Sequence, residues 1–365
     1  MLFPSLWIAT QTAVASFGSN PGALQMYEHV PANLPSGAPL VVVMHGCTMS
    51  ASSMESSGWD ALADQYGFAV AYPQQQSANN LESCFNWYDG ATDDARGAGE
   101  SESIAQMVAY EVSAHGVDSA RVYVTGFSAG AAMTAVVAAT YPDLFAAASI
   151  MSGLPFGCAT TETTALQCMS PGITQTAEQW GALVKAAFAT SAYPRIQIWQ
   201  GASDTTVAPM NEGELAKQWT DALGIAMTPT ATGMIGSAAA VTDYGTGALP
   251  TVETLLVAGM DHAVALGTDG SVACPGTTAL YFEDHGVCST IHAAQFFGLV
   301  PDNAGSGSGS AAGSGATGSG SDAGSDGHDG DTGSGGGGCD AGGSGGGWGT
   351  LAFGAVLALR LRRRR

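Results

Sequence analysis

The stretch Arg121-Val-Tyr-Val-Thr-Gly126-Phe127-Ser128-Ala129-Gly130, continued by Ala131-Ala-Met-Thr-Ala-Val-Val-Ala-Ala-Thr140, decides the fold. Its β-branched and aromatic first part reads as a short buried strand, and the Ala-rich run after Gly130, free of Gly and Pro, reads as a helix. Between them stands Gly126-x-Ser128-x-Gly130. A serine at so tight a strand-to-helix turn takes strained backbone angles, so small residues are needed two positions away on either side, where strand and helix crowd together. The turn holds the hydroxyl clear of the sheet and leaves the Ala129 amide at a helix N-terminus, where it is free to bind an oxyanion. The same spelling recurs at Gly342-Gly-Ser344-Gly-Gly346, but with no strand before it and no packed helix after it, and there it reads as linker.

Working outward, 365 residues of which 45% are hydrophobic, with a long Gly/Ser tail, hold one α/β domain of the ordinary larger size. The net charge is −21, and of ten cationic side chains five are Arg360, Arg362, Arg363, Arg364 and Arg365. Only Arg96, Arg121, Lys185, Arg195 and Lys217 precede them, against 31 acids. Such a surface repels nucleic acid and anionic polymers, so a neutral substrate is expected.

The seven cysteines are Cys47, Cys84, Cys158, Cys168, Cys274, Cys288 and Cys339, and none forms a Cys-x-x-Cys pair. That argues against a zinc or redox site, and the first six suit disulfides of an exported protein. Short loops favour Cys158 with Cys168 and Cys274 with Cys288, leaving Cys47 with Cys84, among the connectivities that six cysteines allow. Residues 1–15 are uncharged and end in the small-x-small pattern Ala13-Val-Ala15, expected of a signal peptide, though no Lys or Arg stands near the start. The competing reading of this segment is a buried first strand.

Further strands are read at 22–31, Pro39–Met44, Phe68–Tyr72, Phe145–Met151, Arg195–Trp199 and Val252–Val257, and helices at Trp59–Tyr66 and Glu102–His115. Pro39–Met44 ends in His45-Gly46-Cys47-Thr48, a turn where the backbone can approach a ligand and where the Cys47 amide is the natural second oxyanion donor; alone, His45 and Gly46 merely shape a turn. Cys84-Phe-Asn86-Trp87-Tyr88 offers two adjacent aromatics, read either as an exposed substrate platform or as a plug over the core. Asp204 follows the Arg195 strand and His262 the Val252 strand. The chain order Ser128, Asp204, His262 is that of α/β-hydrolases, and three strand ends of a mostly parallel sheet share one rim. His285 and His292 compete for the histidine role, but lie in Tyr281–Leu299, which reads as a closing helix. Asp261 competes with Asp204, but adjacent residues on a turn rarely aim at each other.

With these residues in hand, the sequence resembles the polyhydroxybutyrate depolymerase family of secreted esterases, a group that includes acetylxylan and feruloyl esterases. The resemblance spans about 17–299 and rests on Phe17-Gly-Ser-Asn-Pro-Gly22, Leu40-Val-Val-Val-Met-His-Gly-Cys-Thr48, Cys84-Phe-Asn-Trp-Tyr88, Gly126-Phe-Ser-Ala-Gly130, Gly201-Ala-Ser-Asp-Thr-Thr-Val207 and Gly259-Met-Asp-His262. It implies an α/β-hydrolase fold, Ser128 as nucleophile, Asp204 and His262 as its partners, and the turn after His45 as part of an oxyanion hole. Ala131, Gln200 and Asp261 stand where members of the family often have Gly, His and Gly. The last two adjoin the candidate triad and bear on specificity or on the basicity of His262. No metal or organic cofactor is required for this chemistry; the expected partner is an ester, polyhydroxyalkanoate or acylated polysaccharide, hydrolysed through an acyl-enzyme. A retired hydrolase scaffold serving as a surface binding protein is the alternative of another class.

The organisation expected from the chain is thus a signal peptide at 1–15, an esterase domain at 16–300, a flexible Gly/Ser/Asp linker at 301–338 and a tail at 339–365. Asp322, Asp326, Asp329 and Asp331 lack the spacing of a calcium loop and read as solvated linker. The tail joins Cys339, an apolar run at 348–359 and the Arg cluster, an arrangement that resembles Myxo-type C-terminal sorting tails. That resemblance implies Cys339 as a processing site and attachment to the membrane or cell surface.

Overall fold

The computed structural model describes residues 11–90, 93, 95–268 and 273–301. The linker, the tail with Cys339, and the first ten residues of the expected signal segment lie outside the described residues. Ten strands form one sheet: β1 (Thr12–Val14), β2 (Gln25–His29), β3 (Leu40–Met44), β4 (Ala69–Gln74), β5 (Val122–Phe127), β6 (Ala147–Met151), β7 (Arg195–Gly201), β8 (Ala231–Ile235), β9 (Ala239–Tyr244) and β10 (Val252–Val257). Their order is β1-β2-β4-β3-β5-β6-β7-β10-β9-β8. The six strands from β4 to β10 run parallel, and antiparallel pairs close each edge.

Because the parallel strands are covered on both faces, they read as unbroken apolar runs rather than alternating ones. In β3, Leu40, Val42 and Met44 enter one core, and Val41 and Val43 the other. The helices α2 (Gly99–His115), α3 (Ala129–Thr140), α5 (Ala177–Ala187) and α6 (Met210–Ala222) cover the first face; α1 (Trp59–Tyr66) and α7 (Ser289–Phe296) supply side chains to the second. Every residue of α3 is buried, as expected of a helix apolar all round. A short helix, α4 (Glu162–Met169), carries Cys168 to Cys158.

Two expectations are corrected. Tyr281–Leu299 is not one helix: β12 (Phe282–Asp284) pairs in parallel with β11 (Val264–Leu266), and Gly286, at φ 71°, turns the chain before α7 begins. The segment Thr12–Val14, where the small-x-small pattern lies, is an edge strand on β2 with its first two residues exposed, so it is not a buried first strand. The β8–β9 hairpin was not legible because β8 is exposed along nearly its whole length and lacks an apolar alternation.

A buried polar network fixes the chain between β4 and α2. The Glu100 carboxylate accepts from the Asn86 amide at 2.8 Å and the Asn86 side chain at 2.7 Å, and also pairs with Gln75. Burial, reinforced by the charge of Asp93, pushes the Glu100 carboxyl up to about 8, against those hydrogen bonds, which favour the ionised form. An acid whose folded pKa is raised binds its proton more tightly folded than unfolded. Its contribution to stability is therefore full below about 4.5 and is lost as pH rises towards about 8. The expected result is that Glu100→Gln gains in melting temperature relative to the wild type between pH 5 and pH 8, read by calorimetry at each pH.

Candidate active site

The elbow has the geometry that its glycines imply. Ser128 sits at φ 56°, ψ −119°, between β5 and α3, and its amide donates to the Met151 carbonyl at 3.0 Å. A Cβ on Gly126 would lie 2.3 Å from the Gly130 carbonyl oxygen, and one on Gly130 would lie 2.5 Å from the carbonyl oxygens of both Met44 and His45. Those contacts are to backbone, which cannot step aside. The turn thus closes only because both positions lack a side chain.

His262 follows β10 and Asp204 follows β7, adjacent strands of the sheet. His262 Nε2 lies 2.9 Å from Ser128 Oγ, and its Nδ1 lies 2.8 Å from Asp204 Oδ2. Asp204 is 4% exposed. Its Oδ1 accepts from the amides of Thr206 at 2.9 Å and Val207 at 2.8 Å, and its Oδ2 accepts from Gln200 Nε2 at 3.1 Å. Burial alone would raise its pKa, but the hydrogen bond and charge of His262 and the two amides together hold it below the usual carboxylate value. A carboxylate kept ionised in this way fixes a proton on Nδ1 and leaves Nε2 to accept one from the hydroxyl. The Phe127 ring packs 4.7 Å from the imidazole, and Tyr281 meets it edge-on at 6.4 Å.

The turn after β3 lies against the serine: a Cβ on Gly46 would be 3.2 Å from Ser128 Cβ. His45 is fully buried; its Nδ1–H donates to the Gly46 carbonyl at 2.7 Å, and its Nε2 accepts from the Gln75 amide at 3.0 Å. Burial lowers its pKa to about 4, so it is a neutral strut of this turn. Cys47 is tied to Cys84, and the Thr48 amide donates to the Glu82 carbonyl at 2.6 Å. The other pairs are Cys158–Cys168 and Cys274–Cys288. Ala129 is the first residue of α3, where an amide has no intrahelical acceptor.

The remaining candidates separate clearly. Trp87 is 6% exposed and belongs to the core, with Tyr88 half-buried against it at 5.5 Å, so of the two readings of this pair the burial favours the plug. Asn86 is held by Glu100 and Asn80. His285 bonds to Glu283 at 3.1 Å, and the buried His292 packs near Trp199. Asp261 accepts from the Thr205 amide at 2.9 Å and its hydroxyl at 3.2 Å, bracing the Asp204 loop against the His262 loop. Sequence reasoning missed the supporting roles of Gln75, Gln200, Thr206, Val207 and Tyr281. Only Gln200 carried a signal, as a polar residue inside a buried strand end.

Two substitutions separate closure of the elbow from bracing of its partners. Gly130→Ala is expected to destabilise the fold by about 1–3 kcal/mol or more through overpacking against backbone, read by denaturant unfolding. Asp261→Ala, on an exposed turn, is expected to keep the fold and to lower turnover of a short-chain ester less than about tenfold.

The family model described as Esterase PHB depolymerase matches residues 25–239. The chain is 45% identical over 291 residues to poly(3-hydroxyalkanoate) depolymerase C of Paucimonas lemoignei, covering 79% of this chain and 70% of that protein. It is 37% identical over 280 residues to feruloyl esterase B of Talaromyces stipitatus, covering 74% and 76% respectively. Among solved structures, the acetyl xylan esterase from Aspergillus awamori superposes with a TM-score of 0.68 at 31% identity, over 80% of this chain and all of that one. With more than half its length matched by the model, this chain belongs to the Esterase PHB depolymerase family and is a carboxylic ester hydrolase.

Proposed function

We propose that the protein hydrolyses a neutral ester through Ser128, His262 and Asp204, with the amides of Ala129 and Cys47 stabilising the oxyanion. The observation that carries this reading is the continuous hydrogen-bonded chain from Ser128 Oγ through the imidazole to a buried, anchored carboxylate. His262 takes the hydroxyl proton as Ser128 attacks the carbonyl carbon, then delivers it to the leaving alkoxide as the acyl-enzyme forms. Water, deprotonated by the same imidazole, attacks the acyl group; Ser128 leaves and is reprotonated. Asp204 orients the ring and stabilises the imidazolium without taking the proton.

The substrate reading favoured is a poly(3-hydroxybutyrate)-type polyester or its oligomers, supported by the 45% identity to a poly(3-hydroxyalkanoate) depolymerase. A second reading, an acetylated or feruloylated polysaccharide, is supported by the acetyl xylan esterase that superposes over its whole length. Export is supported by the three disulfides, which persist in oxidising compartments. Tethering through the Cys339 tail completes the proposal, with Asn86, Trp87 and Tyr88 supporting the wall of the site from the core side.

Hydroxybutyrate oligomers, acetylated xylan, methyl ferulate and simple short-chain acyl esters form the deciding panel, with Ser128→Ala and Asp204→Asn alongside. Ser128→Ala is expected to lose about 10⁶-fold in kcat and Asp204→Asn about 10⁴-fold. Preference for the oligomers supports the depolymerase reading, and preference for xylan or ferulate the second. Turnover unchanged in Ser128→Ala refutes the triad; ligand binding without turnover in the folded wild type establishes a binding protein instead.

A further inference from the structure

On the α2-covered face of the sheet, well away from the hydrolytic site in strand order, stands an unusual buried acid. Ile104, Met107 and Val108 form the core-facing stripe of α2, and Glu111 occupies the next position of that stripe. A leucine is the expected residue there. Glu111 is instead 0% exposed, and neither of its oxygens accepts a hydrogen bond from any donor among the described residues. An ionised carboxylate so placed is costly unless a cation meets it.

Two further groups stand beside it. Glu28, on β2, follows Met26 by two positions and so faces the same core as Met26 does, towards α2. His115 lies one helical turn beyond Glu111 on the same face. His115 Nε2 is 3.1 Å from Glu28 Oε2 and 3.9 Å from Glu111 Oε2, the latter beyond hydrogen-bonding reach. One donor atom from each residue can be chosen so that all lie within 4.8 Å of one another. The carboxyl of Glu28 can satisfy that of Glu111 only if the two acids share a proton, which leaves a pair of acids built to hold one positive charge between them.

We propose that Glu28, Glu111 and His115 form a structural site for a divalent first-row transition metal ion of the zinc class, clamping the edge of the sheet to the C-terminal turn of α2. Imidazole and carboxylate are both donors such ions take, and bonds of about 2.0–2.2 Å place tetrahedral ligands roughly 3.3–3.6 Å apart, between the 3.1 and 3.9 Å that separate His115 from the two carboxylates. The fourth position falls to water. The ion displaces the proton that the two acids share and satisfies the buried carboxylate. It lies three strands from β5, so it stabilises the domain rather than taking part in ester hydrolysis.

The test uses the full chain, stripped by a chelator and titrated with Zn²⁺ against a competing fluorescent chelator, with melting curves in parallel. The wild type is expected to bind one equivalent of zinc more than either Glu111→Gln or His115→Ala. Its melting temperature should rise by about 4–5 °C at free zinc a hundredfold above the dissociation constant, and neither variant's should. Ester turnover without zinc should be the same in all three. Equal zinc uptake by wild type and variants overturns the proposal, as does a wild-type melting temperature indifferent to zinc. His115→Ala, at a partly exposed position, decides the matter if Glu111→Gln does not fold. A Glu111→Gln protein that is more stable than the wild type, with no difference in zinc uptake, identifies the acids as a proton-sharing pair only.

Discussion

The close approach of the Gly130 turn to the backbone of Met44 and His45 is the constraint on which the rest depends. Two neighbouring strands, β3 and β5, end at the same level, and the chain leaving β5 must double back into α3 within a space that admits no Cβ at 126 or 130. Ser128 absorbs the consequence in a positive φ that a non-glycine residue adopts at a cost of order 1–3 kcal/mol. That strain persists because α3 is buried on every side and β5 is paired with β3 over Val122–Gly126 and with β6 over Tyr123–Phe127. The elbow is therefore held between a fully buried helix and a central strand, while the residues that meet its hydroxyl come from the turns after two other strands.

Those strand ends are positioned by polar contacts as well as by buried side chains such as Val207 and Met260. The Asp204 loop is folded around its own carboxylate by the amides of Thr206 and Val207, and tied to the His262 turn by Thr205 to Asp261 and by the Ser203 amide to the Met260 carbonyl at 2.9 Å. Three histidines show how surroundings divide one residue type among different tasks. His45, buried and accepting from a backbone amide, is a neutral spacer; His262, backed by an ionised Asp204, is arranged to accept a proton; His115, beside two acids, is arranged to meet a cation.

Much of this was legible in the sequence. The parallel strands were visible because burial on both faces makes them continuous apolar runs, and the elbow because its glycines are sterically obligatory. Ser128 was legible as a candidate because it directly follows such a run, and Asp204 and His262 because they stand in the turns after two others. The supporting shell was not legible: Gln75, Thr206 and Val207 act through backbone amides or ordinary polar side chains, which carry no compositional mark. The Trp87–Tyr88 pair was ambiguous because sequence does not say which way a loop aromatic turns, and β12 was hidden by a three-residue strand too short to show a period. Glu111 escaped notice because an acid on an amphipathic helix is ordinarily solvent-facing, and only its place in the stripe beside Ile104 and Val108 marks it as buried.

The central claim is that Ser128 carries the acyl group during turnover. The most direct measurement is acid quenching of the enzyme in the first turnovers of an activated short-chain ester, followed by mass spectrometry of the intact protein and its peptides. A single acyl adduct on the peptide containing Ser128, formed at the rate of the initial burst and absent from Ser128→Ala, is the predicted result. An enzyme that turns over the ester with no adduct, or with the acyl group on another residue, contradicts the account.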